Sequence, residues 1–372
     1  MTGKIKVCHI TNVHASDDAR IFHKECVSLA AAGYEVALVA PGESREDKGV
    51  RVIGCGEKPT SRVKRATSFA KKIIKTALEL DCDVYHLHDP ELLLYVKRLK
   101  RRGKLVVFDS HEDYFFEKDY LPKPLRKIVS RAYLAYESNI MKSLDGLICC
   151  YRKTRERLEP KCKLCEMIYN FPLKTPPVER ETRSDDRFII GYAGGVDGFW
   201  NHERILEALR DEPNVLYRVA GRCGDEYLAK LRATPGWDKV EFLGKIPFRE
   251  VQSRIYGEAN LGVALLGYIP ECNGKEGNMS NTKLFEIMNA GLPVLATDFD
   301  LWKDVVVANR CGLCVNPYDV DAIRDAIRYF RSHPDETAEM GRNARKAIEE
   351  KYNWNVDEAK LLKFYERLTE SI

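Results

Sequence analysis

No stretch of this chain approaches the ~20 consecutive apolar residues that a membrane-crossing helix requires, so nothing in it reads as a transmembrane anchor. The opening MTGKIKVCHITNV runs straight into a strand pattern without the apolar core of a secretory signal, and a cytoplasmic location is expected. Tandem repeats and low-complexity segments are also lacking, which argues against repeat arrays and long disordered tails. Charge of one sign is scarce: the formal net charge is only +4, and no nucleic-acid-binding module accompanies it, so nucleic acid is not an expected partner. Cysteine is the exception, with twelve. Most stand in apolar strand-like contexts such as Cys8, Cys149 and Cys150, and in an unexported chain they read as reduced core residues. The spacings Cys162/Cys165 and Cys311/Cys314 lack the companion pair of a zinc finger or ribbon, so no zinc site is expected there.

At 372 residues the chain exceeds one ordinary core and implies two domains. Alternating strand and helix patterns begin with IKVCHIT (5–11), a helix over 19–32 ended by Gly33, and EVALVAP (35–41), a β-α-β unit of a doubly wound sheet. Asp17 or Asp18 is placed to cap that helix. VYHLHDPELL (84–93) and VVFDSHEDY (106–114) are strand ends rich in His and carboxylates, where such a sheet places its chemistry. His86 and His88 alternate onto one face, but only Asp89 is evident as a further ligand at suitable spacing, so a metal is not expected. A Pro-rich then charged linker, 171–186, separates this half from FIIGYAGG (188–195), VLYRVAGR (215–222) and VEFLGKI (240–246), which restart the alternation. The domains are therefore set at 1–172 and 187–354, with a closing helix over 355–372.

The charge is uneven. Residues 1–185 hold 35 Lys and Arg against 26 Asp and Glu. Much of the surplus lies on a helix over 61–80, whose apolar stripe is Val63, Ala66, Phe69, Ala70, Ile73, Ile74 and Ala77, and in KRLKRRGK (97–104). That helix is either a solvated face or an attachment to an anionic membrane surface.

The stretch EGNMSNTKLFEIMNAGLPVLATD (276–298) carries the most chemistry. Ser280 or Asn281 caps a helix, Gly291 takes the left-handed position after it, Pro293 stops it, and VLAT (294–297) is a buried strand. Lys283 and Glu286 share a face. Free N–H groups at this helix start, with the Lys283 cation, would attract an anion, and Glu286 could accept two ribose hydroxyls. The same residues could instead form a plain surface ion pair.

This segment resembles the nucleotide-binding signature of the retaining glycosyltransferases of family 4 (glycosyl transferases group 1), and NTKLFE (281–286) is similar to the version carried by some branches. The resemblance implies an α/β GT-B fold: two facing Rossmann-like doubly wound domains, with a C-terminal helix crossing back to the first. It implies metal-independent hexosyl transfer from a nucleoside-diphosphate sugar, a UDP-sugar ahead of a GDP-sugar, with no other cofactor. The acceptor is a glycan or lipid-linked molecule in polysaccharide or glycoconjugate assembly, at the cytoplasm or the inner membrane face. By resemblance Glu286 binds the ribose and His111 touches the donor sugar, with Lys283 supporting the departing diphosphate. Where the family carries a first glutamate this chain has Asn278, and where it carries an Arg/Lys pair after the glycine loop this chain has GYAGGVDGFWNH (191–202). Gly194, Gly195, Arg222, Lys245, Ile246, Asn278, Ser280, Asn281 and Thr282 complete the expected donor site. NVHASDDAR resembles a branch-specific loop that makes His14, Asp18 and Arg20, with His88 and Glu112, candidates for acceptor or cleft contacts. The alternatives of the same architecture are a nucleotide-sugar 2-epimerase and a non-catalytic nucleotide-binding relative.

Overall fold

The structure, a computed structural model, describes residues 3–110, 123–177, 186–370 and 372. The chain divides into two compact units, Met1–Asn170 together with Trp354–Ile372, and Phe171–Asn353. The boundary thus lies at 170/171 and not beyond the Pro-rich stretch. Leu173 and Thr175 give their carbonyls to Asn289 Nδ2 (3.0 Å) and Arg345 Nη2 (2.7 Å), and Phe171 packs edge-on against Phe285, all within the second unit. The first half of the expected linker is therefore bound structure.

In the first unit, strands β1 (Lys6–Ile10), β2 (Glu35–Ala40), β3 (Arg45–Asp47), β4 (Val50–Gly54), β5 (Val84–Leu87), β6 (Leu105–Ser110), β7 (Gly146–Cys149) and β8 (Cys165–Met167) form one sheet. Its order is β3-β4-β2-β1-β5-β6-β7-β8, and every pairing except β3–β4 is parallel. The central strands are apolar runs because helices cover both faces. One face buries Phe69, Ile73 and Ile74 from the helix Ala70–Glu79 and its preceding turn. The other buries Phe22 and Leu29 from the first helical segment and Trp354, Leu361, Phe364 and Tyr365 from the last helix, Trp354–Thr369. Gly146 is required under that helix, since a Cβ there would lie 2.4 Å from Phe364 Cζ. Val63 departs from the expected stripe: it is 72% exposed, on the short first turn Arg62–Lys64, ahead of the part of the helix that reaches the core.

The second unit is a wholly parallel sheet of β9 (Phe188–Ala193), β10 (Val215–Ala220), β11 (Val240–Phe242), β12 (Leu261–Ala264), β13 (Val294–Thr297) and β14 (Gly312–Val315), in the order β11-β10-β9-β12-β13-β14. The strand order reverses between β9 and β12, and in open α/β sheets ligands bind outside the carboxyl ends of the strands at such a switch point. In the first unit the reversal falls between β1 and β5. All twelve cysteines are free, and eight of them are buried. Among the described residues no helix is long and apolar enough to cross a membrane.

Candidate functional site

At the switch point of the second unit, the loop after β12 leads into the helix Thr282–Asn289, whose start is organised by two asparagines. Asn278 Oδ1 accepts from the backbone N–H groups of Ser280 (3.1 Å) and Asn281 (3.0 Å), and Asn281 Oδ1 caps the helix through Lys283 N–H (3.3 Å). Asn278 is itself fixed from behind, its carbonyl accepting from Trp302 Nε1 at 2.8 Å. Gly277 must lack a side chain, because it has φ of +78° and a Cβ would sit 2.6 Å from that of Phe299. Of the two expected caps it is Asn281 that caps the helix, and the N–H of Lys283 is taken by it. The expected stop is present: Gly291 at φ +70° and Leu292 return hydrogen bonds to Met288 and Ile287, a Schellman arrangement.

The cation Lys283 points into the glycine loop after β9. A Cβ at Gly194 would lie 2.0 Å from Lys283 Cε and 2.8 Å from its Nζ, so only glycine leaves room for this side chain. The ammonium lies over the Trp200 ring, 4.3 Å from its centroid. Burial lowers its pKa, while the charges of Glu286 and Asp197 work to raise it. Asp197 is held up by burial and opposed by the Phe199 N–H (3.0 Å) and by Lys283. Tyr192 Oη donates to the Gly195 carbonyl at 2.6 Å, and its ring packs edge-on against His202 and tilted against Trp200, which stiffens the loop from below. His202, buried against Tyr217 Oη (2.9 Å), is pushed down to about 3 by desolvation and stays neutral. A half-buried ammonium with an aromatic floor, a glycine loop and a nearby carboxylate can hold a diphosphate and its ribose.

The structure therefore brings Gly194, Gly195, Lys283 and Glu286 into one neighbourhood, with Asn278 and Asn281 shaping the backbone beside them. Thr282 opens the helix. Arg222 and Lys245 follow β10 and β11 with exposed side chains, Arg222 accepting Val196 N–H (2.9 Å) through its carbonyl, and Ile246 is partly buried. Asp197 and Trp200 were not singled out from the sequence. Their signal was the DGFW segment directly after the glycine loop.

In the first unit the loop after β1 is built around a carboxylate from the end of β5. Asp89 Oδ2 accepts from Thr11 Oγ1 (2.7 Å) and from the N–H groups of Asn12 (2.7 Å) and Val13 (3.2 Å). The half-buried His14 ring lies between Asp89 (3.4 Å) and Asp18 (3.5 Å). Asp18 Oδ1 accepts from Arg20 N–H (2.9 Å) and Ile21 N–H (3.0 Å), so it caps the first helix. Burial works to raise the Asp18 pKa, but His14 and those N–H groups hold it below the ordinary carboxylate range. Arg20 and His88 are not surface contacts. Arg20 is buried in a two-point pair with Asp109 (2.8 and 3.0 Å), and His88 is enclosed with His9. Of the sequence candidates here, only His14 and Asp18 remain partly open; His111 and Glu112 lie outside the described residues. A separate cavity of about 1080 Å³ lined by Lys6, Glu35 and Arg51 lies at the amino ends of β1, β2 and β4, the opposite end from this chemistry.

Two family models match the chain: Glycosyltransferase Family 4 over residues 19–171 and Glycosyl transferases group 1 over residues 177–347. Comparison with curated proteins gave no match. Among solved structures, sucrose-phosphate synthase from Thermosynechococcus elongatus superposes with a TM-score of 0.76 at 16% identity, covering 99% of this chain and 100% of that one. HepE from Anabaena, solved with UDP-glucose, gives 0.69 at 14% identity over 98% and 100%. WaaG, a glycosyltransferase involved in lipopolysaccharide biosynthesis, gives 0.67 at 16% identity over 98% and 99%. At these identities the likenesses establish the GT-B fold alone, while the two sequence models between them take in most of both units. The chain belongs to the group 1 glycosyltransferases of family 4.

Proposed function

We propose that this glycosyltransferase binds a UDP-sugar in its second unit and transfers the sugar, with retention at the anomeric carbon and without a catalytic metal, to a glycan or lipid-linked acceptor held by the first. The observation that carries the donor assignment is the Gly194–Lys283 approach beside Glu286 at the β9/β12 switch point. Lys283 stabilises the charge that grows on the departing diphosphate, an electrostatic role in a site already poised for it. Glu286 accepts the two ribose hydroxyls, and the leaving phosphate takes the acceptor proton. UDP is favoured over GDP because HepE was solved with UDP and UDP-glucose. His14, beside Asp89 and Asp18, is assigned to the acceptor. Exposed Val63 among Arg62, Lys64 and Lys71 supports peripheral attachment at the cytoplasmic face of a membrane, in polysaccharide or glycoconjugate assembly.

Titrating UDP, GDP and ADP against wild type and Glu286→Ala tests the donor reading. Loss of charge-assisted bonds worth ~1.5–3 kcal/mol would weaken UDP by roughly 10–150-fold. If UDP fails to bind the folded wild-type chain, or binds Glu286→Ala equally well, the donor assignment is wrong. Inversion of the anomeric centre in the product, read by NMR, would remove the retaining mechanism.

A further inference from the structure

Beneath the loop after β1, the sheet of the first unit carries a cluster of side chains that glycosyl transfer does not use. His9 on β1 is in register with His86 on β5, and His88 follows on the same face. The three rings lie 4.5–5.1 Å apart, centroid to centroid. Glu25, from the helical segment Ile21–Cys26 that covers this face, closes the group. All four residues are inaccessible or nearly so, and one ligand atom from each can be chosen within 4.8 Å of all the others.

Three of those atoms already describe a coordination site. His9 Nδ1 and His88 Nε2 share a hydrogen bond of 2.9 Å, which a bound ion would replace, and each is 4.0 Å from Glu25 Oε2. A triangle with these sides has a centre about 2.1 Å from each corner, which is the Zn–N and Zn–O bond length. The outer atoms of two of the rings meet partners of the kind that metal-bound histidines use, while His9 Nε2 has none. His88 Nδ1 faces the Asp109 carboxylate at 3.4 Å, and His86 Nδ1 meets Tyr365 Oη at 2.8 Å, which leaves His86 Nε2 without a hydrogen-bond partner. Glu25 lies beside the Asp109 carboxyl and pairs through Oε1 with Arg20, while its Oε2 faces the His9 and His88 rings. Arg20 Nε, 3.0 Å from Oε1, directs its single hydrogen to Asp109. One guanidinium is thus shared by two buried carboxylates, Glu25 and Asp109, and a second cation would balance the pair.

We propose that His9, His86, His88 and Glu25 bind one divalent transition ion of the zinc class, as a closed structural site that pins the first helix to strands β1 and β5. Three imidazoles and a carboxylate suit zinc and cobalt, and hard cations such as magnesium and calcium poorly. With four protein ligands and no solvent exposure the site has no open position, so it fixes structure and takes no direct part in the transfer reaction. Asp109 and Tyr365 are its outer partners. The site was hidden from the sequence because its ligands are up to 79 residues apart in the chain.

Burial of all four ligands means that the ion enters as the unit folds. The experiment is therefore made on full-length protein lacking any polyhistidine tag, expressed with added zinc, and on the same protein refolded from denaturant with zinc or cobalt. The expected result is one zinc per chain by elemental analysis after gel filtration, a visible cobalt absorption of low-symmetry nitrogen/oxygen coordination, and metal–ligand distances of about 2.0–2.1 Å by X-ray absorption. Glu25→Gln, close to isosteric, and His88→Gln should each lose the stoichiometric ion. Tyr365→Phe, which leaves the ligands intact, should weaken it by about 10–100-fold. Folded wild-type protein that holds well under one ion per chain by both routes overturns the proposal. So does stoichiometric metal that persists in folded Glu25→Gln or His88→Gln, which would place it elsewhere. Should both variants fail to fold, the wild-type measurements and the graded effect of Tyr365→Phe still decide.

Discussion

Replacing Gly194 with alanine tests the donor site at its tightest point. Two separate costs follow from the geometry. Gly194 has φ of +154°, a backbone region in which a side chain is strained by ~1–3 kcal/mol. That cost falls on folding stability and is independent of what faces the loop. The second cost depends on Lys283. The new methyl would lie 2.0 Å from Lys283 Cε, whereas ordinary contact begins near 3.4 Å, so the end of the lysine must move by about 1.4 Å. A shift of that size lifts the ammonium from the Trp200 face and from the position proposed for contact with the phosphate oxygens. A charge-assisted bond contributes ~1.5–3 kcal/mol, so Gly194→Ala should weaken UDP by roughly 10–150-fold, close to the loss caused by Lys283→Ala. In a Lys283→Ala background there is nothing left to displace, and adding Gly194→Ala should cost about 2-fold or less. Calorimetric titration of UDP against the four proteins of this cycle, with chemical unfolding of each, separates the two costs. Equal losses of affinity in both backgrounds would refute the reasoning, because the glycine would then act on the ligand without the lysine.

Three further outcomes are expected. Because burial lowers the Lys283 pKa and a bound diphosphate would raise it, UDP binding should take up a proton on the alkaline side, and affinity should fall as pH rises through the lowered value, before ordinary lysines titrate; calorimetry in buffers of different ionisation heat checks this, and no uptake would contradict it. Arg20→Met leaves Asp109 buried without its two-point partner and should cost ~3–5 kcal/mol in chemical unfolding, with a loss under about 1 kcal/mol contradicting the assignment of Arg20 to the core. Asn278→Ala removes the acceptor of two N–H groups at the start of the Thr282–Asn289 helix and should lower stability by ~1–3 kcal/mol, whereas an unchanged midpoint would mean that water replaces it at no cost.

What could be read in advance was what local chemistry determines. The Thr282–Asn289 helix carries its own cap, stop glycine and following proline, and the long apolar strands announce themselves by composition. Strand β12 is harder to see. It has four residues, and its centre is Gly262, where Ile287 packs so closely that a Cβ would be 2.1 Å away. A strand whose distinguishing residue is chosen by a helix 25 positions later leaves little periodic signal. Long-range pairing explains other differences. Arg20 looked like a surface candidate because its partner Asp109 is 89 positions away. The reading of His86 and His88 failed to reach His9 and Glu25 for the same reason: register, not spacing, assembles them. Asn278 differs for a local reason: at a position expected to contact sugar, its Oδ1 accepts from the N–H groups of Ser280 and Asn281 and its Nδ2 reaches Cys272 Sγ.

The insertion of one unit into the other has a consequence for how the chain matures. Unit Phe171–Asn353 is unbroken, but the other unit waits for Trp354–Ile372 to complete it. A nascent chain that has emerged only as far as Asn170 owns β1 to β8 and the first helical segment, but lacks the part of that face's cover that Phe364 and Tyr365 provide. The inserted unit can thus reach its native state first, while its host keeps part of an apolar sheet face uncovered until Trp354–Ile372 has emerged. Trp354–Ile372 is then a checkpoint on a segment made some two hundred residues earlier, and a chain cut before Trp354 should lose the stability of its first unit even though the whole Phe171–Asn353 unit is present.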